Sequence, residues 1–131
     1  MAKKIRATPE LARRERQIMD VIYQLGEATV GKVLEHLPDP PSYSSVRTII
    51  RKIEAKGLLT HRQDGKRYVY RATQSRETAS RTALQRLMNV FFSGSAPDTV
   101  AAILDVSSKD LDPSDLERIA QFIDRARKEG K

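Results

Sequence analysis

A mainly helical fold carrying one small β-hairpin is predicted for this chain of 131 residues. Three observations predict it. Apolar residues recur at spacings of three, four and seven over most of the length, as amphipathic helices require. Gly26, Pro38 and Gly57 interrupt the successive helical runs in the first half. After residue 57 the helical period gives way to two short β-prone runs around Asp64-Gly65, a pair that favours a tight hairpin turn.

Each element has its own residue-level cause. Thr8-Pro9-Glu10 signals the start of a first helix, with a cap residue, a first-turn proline and an early carboxylate. Leu11, Ile18, Val21, Ile22 and Leu25 form its apolar stripe, and Gly26 ends it. A short second helix is capped by Thr29, striped by Val30, Val33, Leu34 and Leu37, and stopped by Pro38. Pro38-Asp39-Pro40-Pro41 is too rigid for a helix and makes a turn. The third helix starts between Ser42 and Ser44 and ends at Gly57. Val46, Ile49, Ile50 and Ile53 share one face; Ser44, Thr48 and Arg51 stand about 180° away, flanked by Arg47 and Lys52. Isoleucine costs a few tenths of a kcal/mol in helix propensity, so packing must hold this helix. Gly57 after Lys52 and Lys56 suits its C-terminus.

The hairpin is expected over residues 58–63 and 66–71, with Asp64-Gly65 as a type I′ loop. That loop sets Gln63 opposite Lys66, Arg62 opposite Arg67, His61 opposite Tyr68 and Leu59 opposite Tyr70. Leu59, His61, Tyr68 and Tyr70 then share a face packed on the helices. Arg62 and Arg67 become direct neighbours on the other face, which is unfavourable unless an anion such as phosphate lies between them; otherwise both splay into water.

Beyond residues 72–78, a linker or helix entry, three further helices are expected at 75–92, 98–105 and 113–128. Their stripes are Leu84, Leu87, Met88 and Phe91; then Val100, Ile103 and Leu104; then Leu116, Ile119, Ala120 and Ile123. Asp112 caps the last, with Pro113 first, Asp115 third and a Leu111–Leu116 staple. Three short helices cannot close a core alone. Pairing with the same segment of a second copy is the economical solution; burial against the first three helices is the alternative. The chain therefore divides at 1–73 and 74–131.

Charge separates the same halves. The net charge is +7, and residues 1–72 carry 15 Lys/Arg against 8 Asp/Glu, whereas residues 73–131 carry 9 of each. Residues 42–71 alone hold eight basic and two acidic side chains. A basic surface of this kind suits a polyphosphate, because binding releases condensed counterions. There is no Cys, which excludes disulfides and thiolate metal sites. No apolar run approaches the ~20 residues needed to span a bilayer, and no h-region follows the basic N-terminus, so a soluble cytoplasmic protein without membrane insertion is expected. His36 and His61 lack tight His/Asp spacing, no glycine-rich phosphate loop exists, and Ser42, Ser44 and Ser45 have no base partner. Asp110/Asp112 and Asp115/Glu117 lie at a helix start, where they favour the dipole. Neither catalytic residues, a cofactor nor a metal is expected.

A helix followed by a basic hairpin is how a winged helix-turn-helix meets duplex DNA. Ser44, Ser45 and Thr48 are compact donors and acceptors for the deepest part of a groove; Arg47 and Arg51 can bond guanine bidentately, with Lys52 beside them. Tyr43 either contacts a phosphate or packs under the proline turn. Arg62, Lys66 and Arg67 of the hairpin straddle the backbone. A different class of reading makes the module a protein-interaction unit with a basic docking face. Single-stranded RNA is disfavoured, since stacking needs exposed aromatics and only seven aromatics are present.

In LARRERQIMDVIYQLGEATVGKVLEHL, SYSSVRTIIRKIEAKGLLTHRQDGKRYVYR and FFSGSAPDTVAAIL, the chain resembles the penicillinase-repressor (BlaI/MecI) family of bacterial regulators over nearly its whole length. The resemblance implies an N-terminal winged helix, a C-terminal helical dimerisation region and a homodimer bound to an inverted-repeat operator. Arg47 and Thr48 fall on the family's third-helix motif. It also implies a functional link to a membrane metalloprotease sensor that triggers cleavage in the dimerisation region. The corresponding segment here is Phe92-Ser93-Gly94-Ser95-Ala96, with Ser95 and Ala96 at its end; it lacks the Asn-Phe bond of the resistance repressors. Without cysteine, the thiolate copper sensing of one family branch is excluded.

Overall fold

The computed structural model describes residues 11–130. In order these form α1 (Arg13–Leu25), α2 (Val30–His36), α3 (Tyr43–Ala55), β1 (Leu59–Asp64), β2 (Arg67–Ala72), α4 (Arg76–Phe92), α5 (Ala96–Val106) and α6 (Pro113–Gly130). The chain divides into two compact units, Met1–Ser80 and Arg81–Lys131.

In the first unit, α1 begins later than its apolar stripe implied. Ala12 is extended, and the Glu15 carboxylate accepts its N–H at 2.8 Å, so the first turn is closed from inside the helix and Leu11 packs on the core from outside it. The start signals at Thr8-Pro9-Glu10 lie outside the described residues. Ile18 and Ile22 are fully buried, Met19 joins them unforeseen, and Leu25 is left exposed at the helix end. Gly26 (φ 88) supplies the left-handed stop, its N–H returning to the Ile22 carbonyl. α2 is capped by the Thr29 hydroxyl, which accepts from the Lys32 N–H at 3.2 Å. The proline turn is held by Arg14, whose guanidinium donates to the Pro38 and Asp39 carbonyls at 3.0 and 3.1 Å.

α3 is capped by Ser42, whose hydroxyl accepts from the Ser45 N–H. Val46, Ile50 and Ile53 have no exposed surface and Ile49 is half-buried, while Ser44, Thr48 and Arg51 face outward. Together with Ile18, Ile22, Val33, Leu59 and Tyr70 these side chains form a single core cluster. The N- and C-terminal ends of two core helices are joined by an ion pair: Lys56 Nζ lies 2.9 Å from Oε1 of the buried Glu15.

The hairpin has a different register from the expected one. Asp64 pairs with Arg67, Gln63 with Tyr68, Arg62 with Val69 and His61 with Tyr70, so Gly65-Lys66 forms the loop. Gly65 has φ 66 and Lys66 is not among the positive-φ residues, the requirement of a type II′ turn with glycine first. The register shift replaces the like-charged Arg62–Arg67 pair with the opposite-charged Asp64–Arg67 pair, a cross-strand arrangement that is favoured. Because the shift amounts to two positions, faces are preserved: Leu59, His61, Tyr68 and Tyr70 remain on one side. Ala28 adds a one-residue third strand, exchanging both backbone hydrogen bonds with Tyr70 at 2.8 and 2.9 Å.

The second unit is built of α5, α6 and the rest of α4. Ser95 caps α5 by accepting from the Asp98 N–H at 3.1 Å, so this helix starts at Ala96, two residues before the expected start, with Pro97 in its first turn. Asp112 and Asp115 cap α6 reciprocally: Asp112 accepts from the Asp115 N–H and Asp115 from the Asp112 N–H. The Asp115 amide and then the Ser114 hydroxyl hold the Asp112 carboxyl below its ordinary range. Thr99 is the single buried side chain among the described residues of this unit. Leu84, Phe91, Ile103 and Leu116 are between 50% and 73% exposed.

The Glu15 pair gives the fold a pH signature. The Lys56 hydrogen bond, then the Ala12 amide, lower the Glu15 pKa from its ordinary 4.5. A depressed folded pKa adds stability above the unfolded value, and that stability is lost as pH falls through the folded one. Glu15→Gln is therefore expected to lower the melting temperature at neutral pH by several degrees, corresponding to about 1 kcal/mol. The gap from wild type should narrow as pH drops below 4.5. A pH-independent gap in thermal melts would show that the charge contributes nothing.

Candidate nucleic-acid interface

The complete burial of one side of α3 turns the other side out. Tyr43, Ser44, Ser45, Arg47, Thr48, Arg51 and Lys52 are all exposed. The hydroxyls among them are already organised: Ser42 Oγ lies 3.0 Å from Ser45 Oγ and 3.2 Å from Ser44 Oγ, and Thr48 Oγ1 donates to the Ser44 carbonyl at 2.9 Å. The long donors on this face are therefore Arg47, Arg51 and Lys52.

Beside α3, the hairpin and the start of α2 enclose a cleft of about 450 Å³ lined by Tyr43, Arg47, Lys66, Arg67 and Tyr68, among others. Three cations and no carboxylate line it. Among the described residues no carboxylate lies within 4.0 Å of Arg47, Arg51, Lys52, Lys66 or Arg67, whereas Arg62 pairs with Glu27 at 2.9 Å and Lys56 with Glu15. The charges of Arg62 and Lys56 are neutralised locally; those of the cleft are left to attract an anion.

The structure does not gather all the expected residues. Arg47, Lys66 and Arg67 share the cleft with Tyr43. Lys52 lies in a separate hollow with Arg14, Glu15 and Lys56. Arg62 is committed to Glu27 and faces Val69, not Arg67. Conversely, Tyr68 and Gln63 line the cleft although neither was expected at a binding surface. Tyr68 lies on the same face as Tyr70, as the sequence predicts. The helices, however, support the hairpin only as far as Tyr70, so Tyr68, nearer the tip, is 46% exposed against 3% for Tyr70. No local pattern in the sequence marks where that support ends.

The hairpin is positioned on α3 by side chains. His61 Nδ1 lies 2.6 Å from Glu54 Oε2 on the last turn of α3. The His61 ring stacks on Tyr68 with centroids 4.3 Å apart and tilts against Tyr70 at 5.5 Å. Burial, then the nearby Glu54 carboxylate, raises the Tyr70 pKa and keeps its hydroxyl protonated. No group of three or more His, Asp or Glu side chains suited to a metal occurs among the described residues, and no single helix there is long and apolar enough to cross a membrane.

A family model described as penicillinase repressor matches residues 11–125. A relative from Latilactobacillus sakei, an uncharacterized 16.5 kDa protein in the ptsI 3′ region, is 25% identical over 118 residues, covering 88% of this chain and 80% of that one. Among solved structures, the CopR repressor is 28% identical with a TM-score of 0.44, covering 50% of this chain and 99% of that one. BpsR from Bordetella bronchiseptica, whose DNA binding is regulated by 6-hydroxynicotinic acid, is 13% identical with a TM-score of 0.47, covering 91% and 76%. The zinc-responsive MarR family member ZitR from Lactococcus lactis is 16% identical with a TM-score of 0.44, covering 98% and 83%.

If His61 holds the hairpin to α3, His61→Ala is expected to speed hydrogen exchange of the β2 amides about fivefold, equivalent to about 1 kcal/mol. Exchange in α1 should be unaffected. Unchanged rates in β2 would mean that the Ala28–Tyr70 backbone bonds suffice.

Proposed function

Because the chain belongs to the penicillinase repressor family, it is a winged-helix transcriptional repressor, a DNA-binding regulator and not an enzyme, and we propose that it works as a homodimer on a palindromic operator in the cytoplasm. The observation that carries this reading is the outward face of α3, where Arg47 and Arg51 stand unpaired beside a cation-lined cleft while the opposite face is wholly buried. α3 enters the major groove, with Arg47 and Arg51 reaching base edges and Ser44, Ser45 and Thr48 closest to the groove floor. Lys66 and Arg67 at the hairpin tip, with Tyr43, hold the adjacent phosphates. Arg62 reaches the backbone only by exchanging Glu27 for phosphate, and Lys52 adds long-range charge.

The second half supplies the two-fold axis. Leu84, Leu87, Phe91, Val100, Ile103, Leu116 and Ile123 are exposed, and Met88, Leu104 and Ile119 half-buried. An apolar surface exposed on a unit with almost no buried core is stable when a like surface covers it. Two such subunits place their α3 helices in successive major grooves, with half-sites ~10 bp apart or a multiple of that. Relief of repression acts through cleavage of the Phe92–Ala96 segment, by a protease under the control of a membrane sensor. Ser95 and Ala96 are there the cap and first residue of α5. Ser93 and Gly94 before them are exposed and at positive φ, outside either helix.

Selection from a random duplex pool, followed by titration, tests the DNA reading. An inverted repeat is expected to emerge, with log affinity falling against log salt by about 0.9 per phosphate contacted. Arg51→Ala is expected to relax preference at one base position by about 1–3 kcal/mol, and Arg67→Ala to weaken all duplexes alike with a shallower salt slope. A pool that enriches no motif would leave a basic docking surface for proteins in place of operator recognition. In sedimentation equilibrium the wild type is expected as a dimer and Leu87→Asp as a monomer; a monomeric wild type would remove the palindrome.

A further inference from the structure

The passage from hairpin to α4 is a clamp. Thr73 donates its N–H to the Leu58 carbonyl at 3.0 Å and its hydroxyl to the Gly57 carbonyl at 2.8 Å. Three residues on, the Arg76 guanidinium grips the end of α1: Nε donates to the Tyr23 carbonyl at 3.1 Å, and Nη2 donates to the same oxygen and to the Gln24 carbonyl, the latter at 3.2 Å. These are two of the last carbonyls of α1, which have no partner within their own helix. The last turn of α1 contains no basic residue, so Arg76 supplies from another element the cation that a helix C-terminus favours. The placement is unfavourable for α4 itself, since Arg76 is its first residue and lies at the positive end of its dipole. The arginine is explained by α1, not by the helix that bears it.

We propose that Arg76 is a positioning residue for half-site spacing, an inference that rests on the dimeric operator reading above. α4 runs unbroken over Arg76–Phe92, so holding its first turn to the end of α1 fixes the line along which the chain leaves the winged helix. With Arg76 engaged, only one separation of half-sites admits both α3 helices at once. Without it the tie between the first turn of α4 and the end of α1 is lost, and the winged helices accommodate a range of separations.

The test uses the full chain and duplexes built from the half-site that the wild type selects out of a random pool. One duplex carries a single half-site; the others carry inverted pairs at centre-to-centre separations from about 8 to about 14 bp, bracketing one helical turn. The wild type is expected to favour one separation by tenfold or more, roughly the advantage that simultaneous engagement gives and wrong geometry removes. Arg76→Ala is expected to keep single half-site affinity within about twofold, because Arg76 touches no DNA-facing side chain, while its preference among separations falls to about threefold or less. Arg76→Lys retains the cation but cannot bridge two carbonyls, and is expected to fall between the two. A wild-type spacing profile in both variants would overturn the proposal. So would an equal loss at single and paired half-sites with the profile intact, which would make Arg76 a stabiliser of the domain only. A wild type that is itself indifferent to separation would instead overturn the dimeric operator reading, and the two failures are distinguished by the wild-type arm.

Discussion

The rotation of α3 about its own axis is set by the complete burial of Val46, Ile50 and Ile53. Those three side chains dock against Ile18 and Ile22 of α1 and Val33 of α2 within one cluster. Each represents about 1.5–3 kcal/mol of burial, far more than any single polar contact on the exposed side contributes. A rotation of α3 large enough to hide Arg47 or Arg51 would expose at least one of them. The outward direction of the arginines is thus a consequence of hydrophobic packing, and the face proposed to meet DNA needs no contact of its own to be presented.

Two polar devices refine what the core sets. The Glu15–Lys56 pair joins the start of α1 to the end of α3, and the His61–Glu54 bridge joins the hairpin to the same end of α3. Both lie on the C-terminal half of α3, so its N-terminal half carries Ser44, Ser45 and Arg47 without internal ion pairs. Lys56 and His61, which tie elements together, have carboxylate partners, whereas Arg47, Lys66 and Arg67 in the cleft have none within 4.0 Å among the described residues. The Arg62–Glu27 pair marks the border between these regimes.

Much of this was legible in the residue order, for reasons that differ by element. The helical stripes of α2 and α3 were readable because one face of each is buried at a period near 3.6. Thr29, Ser42, Gly57 and Asp112 were readable because capping chemistry is local. The hairpin loop was misplaced by one residue. Asp-Gly is a strong turn signal, but the pairing it implied set Arg62 against Arg67, and the structure resolves that conflict by making Gly65 the first loop residue and setting Asp64 against Arg67. The repulsion was itself the clue. The cleft residue Tyr68 and the reach of Arg76 to α1 were not legible, since each depends on how far one element extends past another, and no local pattern encodes that length. α5 starts two residues before its expected position because Ser95 caps it and a proline is tolerated in the first turn.

The backward hydrogen bond from Thr48 to the Ser44 carbonyl has a chemical corollary for base reading. A threonine hydroxyl owns one hydrogen and two lone pairs. With the hydrogen committed to the helix backbone, the side chain turns outward only lone pairs and a methyl group. A base edge brought against this position finds something to donate to and something greasy to lie on, but nothing that donates in return. Adenine and cytosine, with their exocyclic amino groups, and thymine, with its C5 methyl, are matched by such a surface; guanine, which offers the major groove only acceptors, is not.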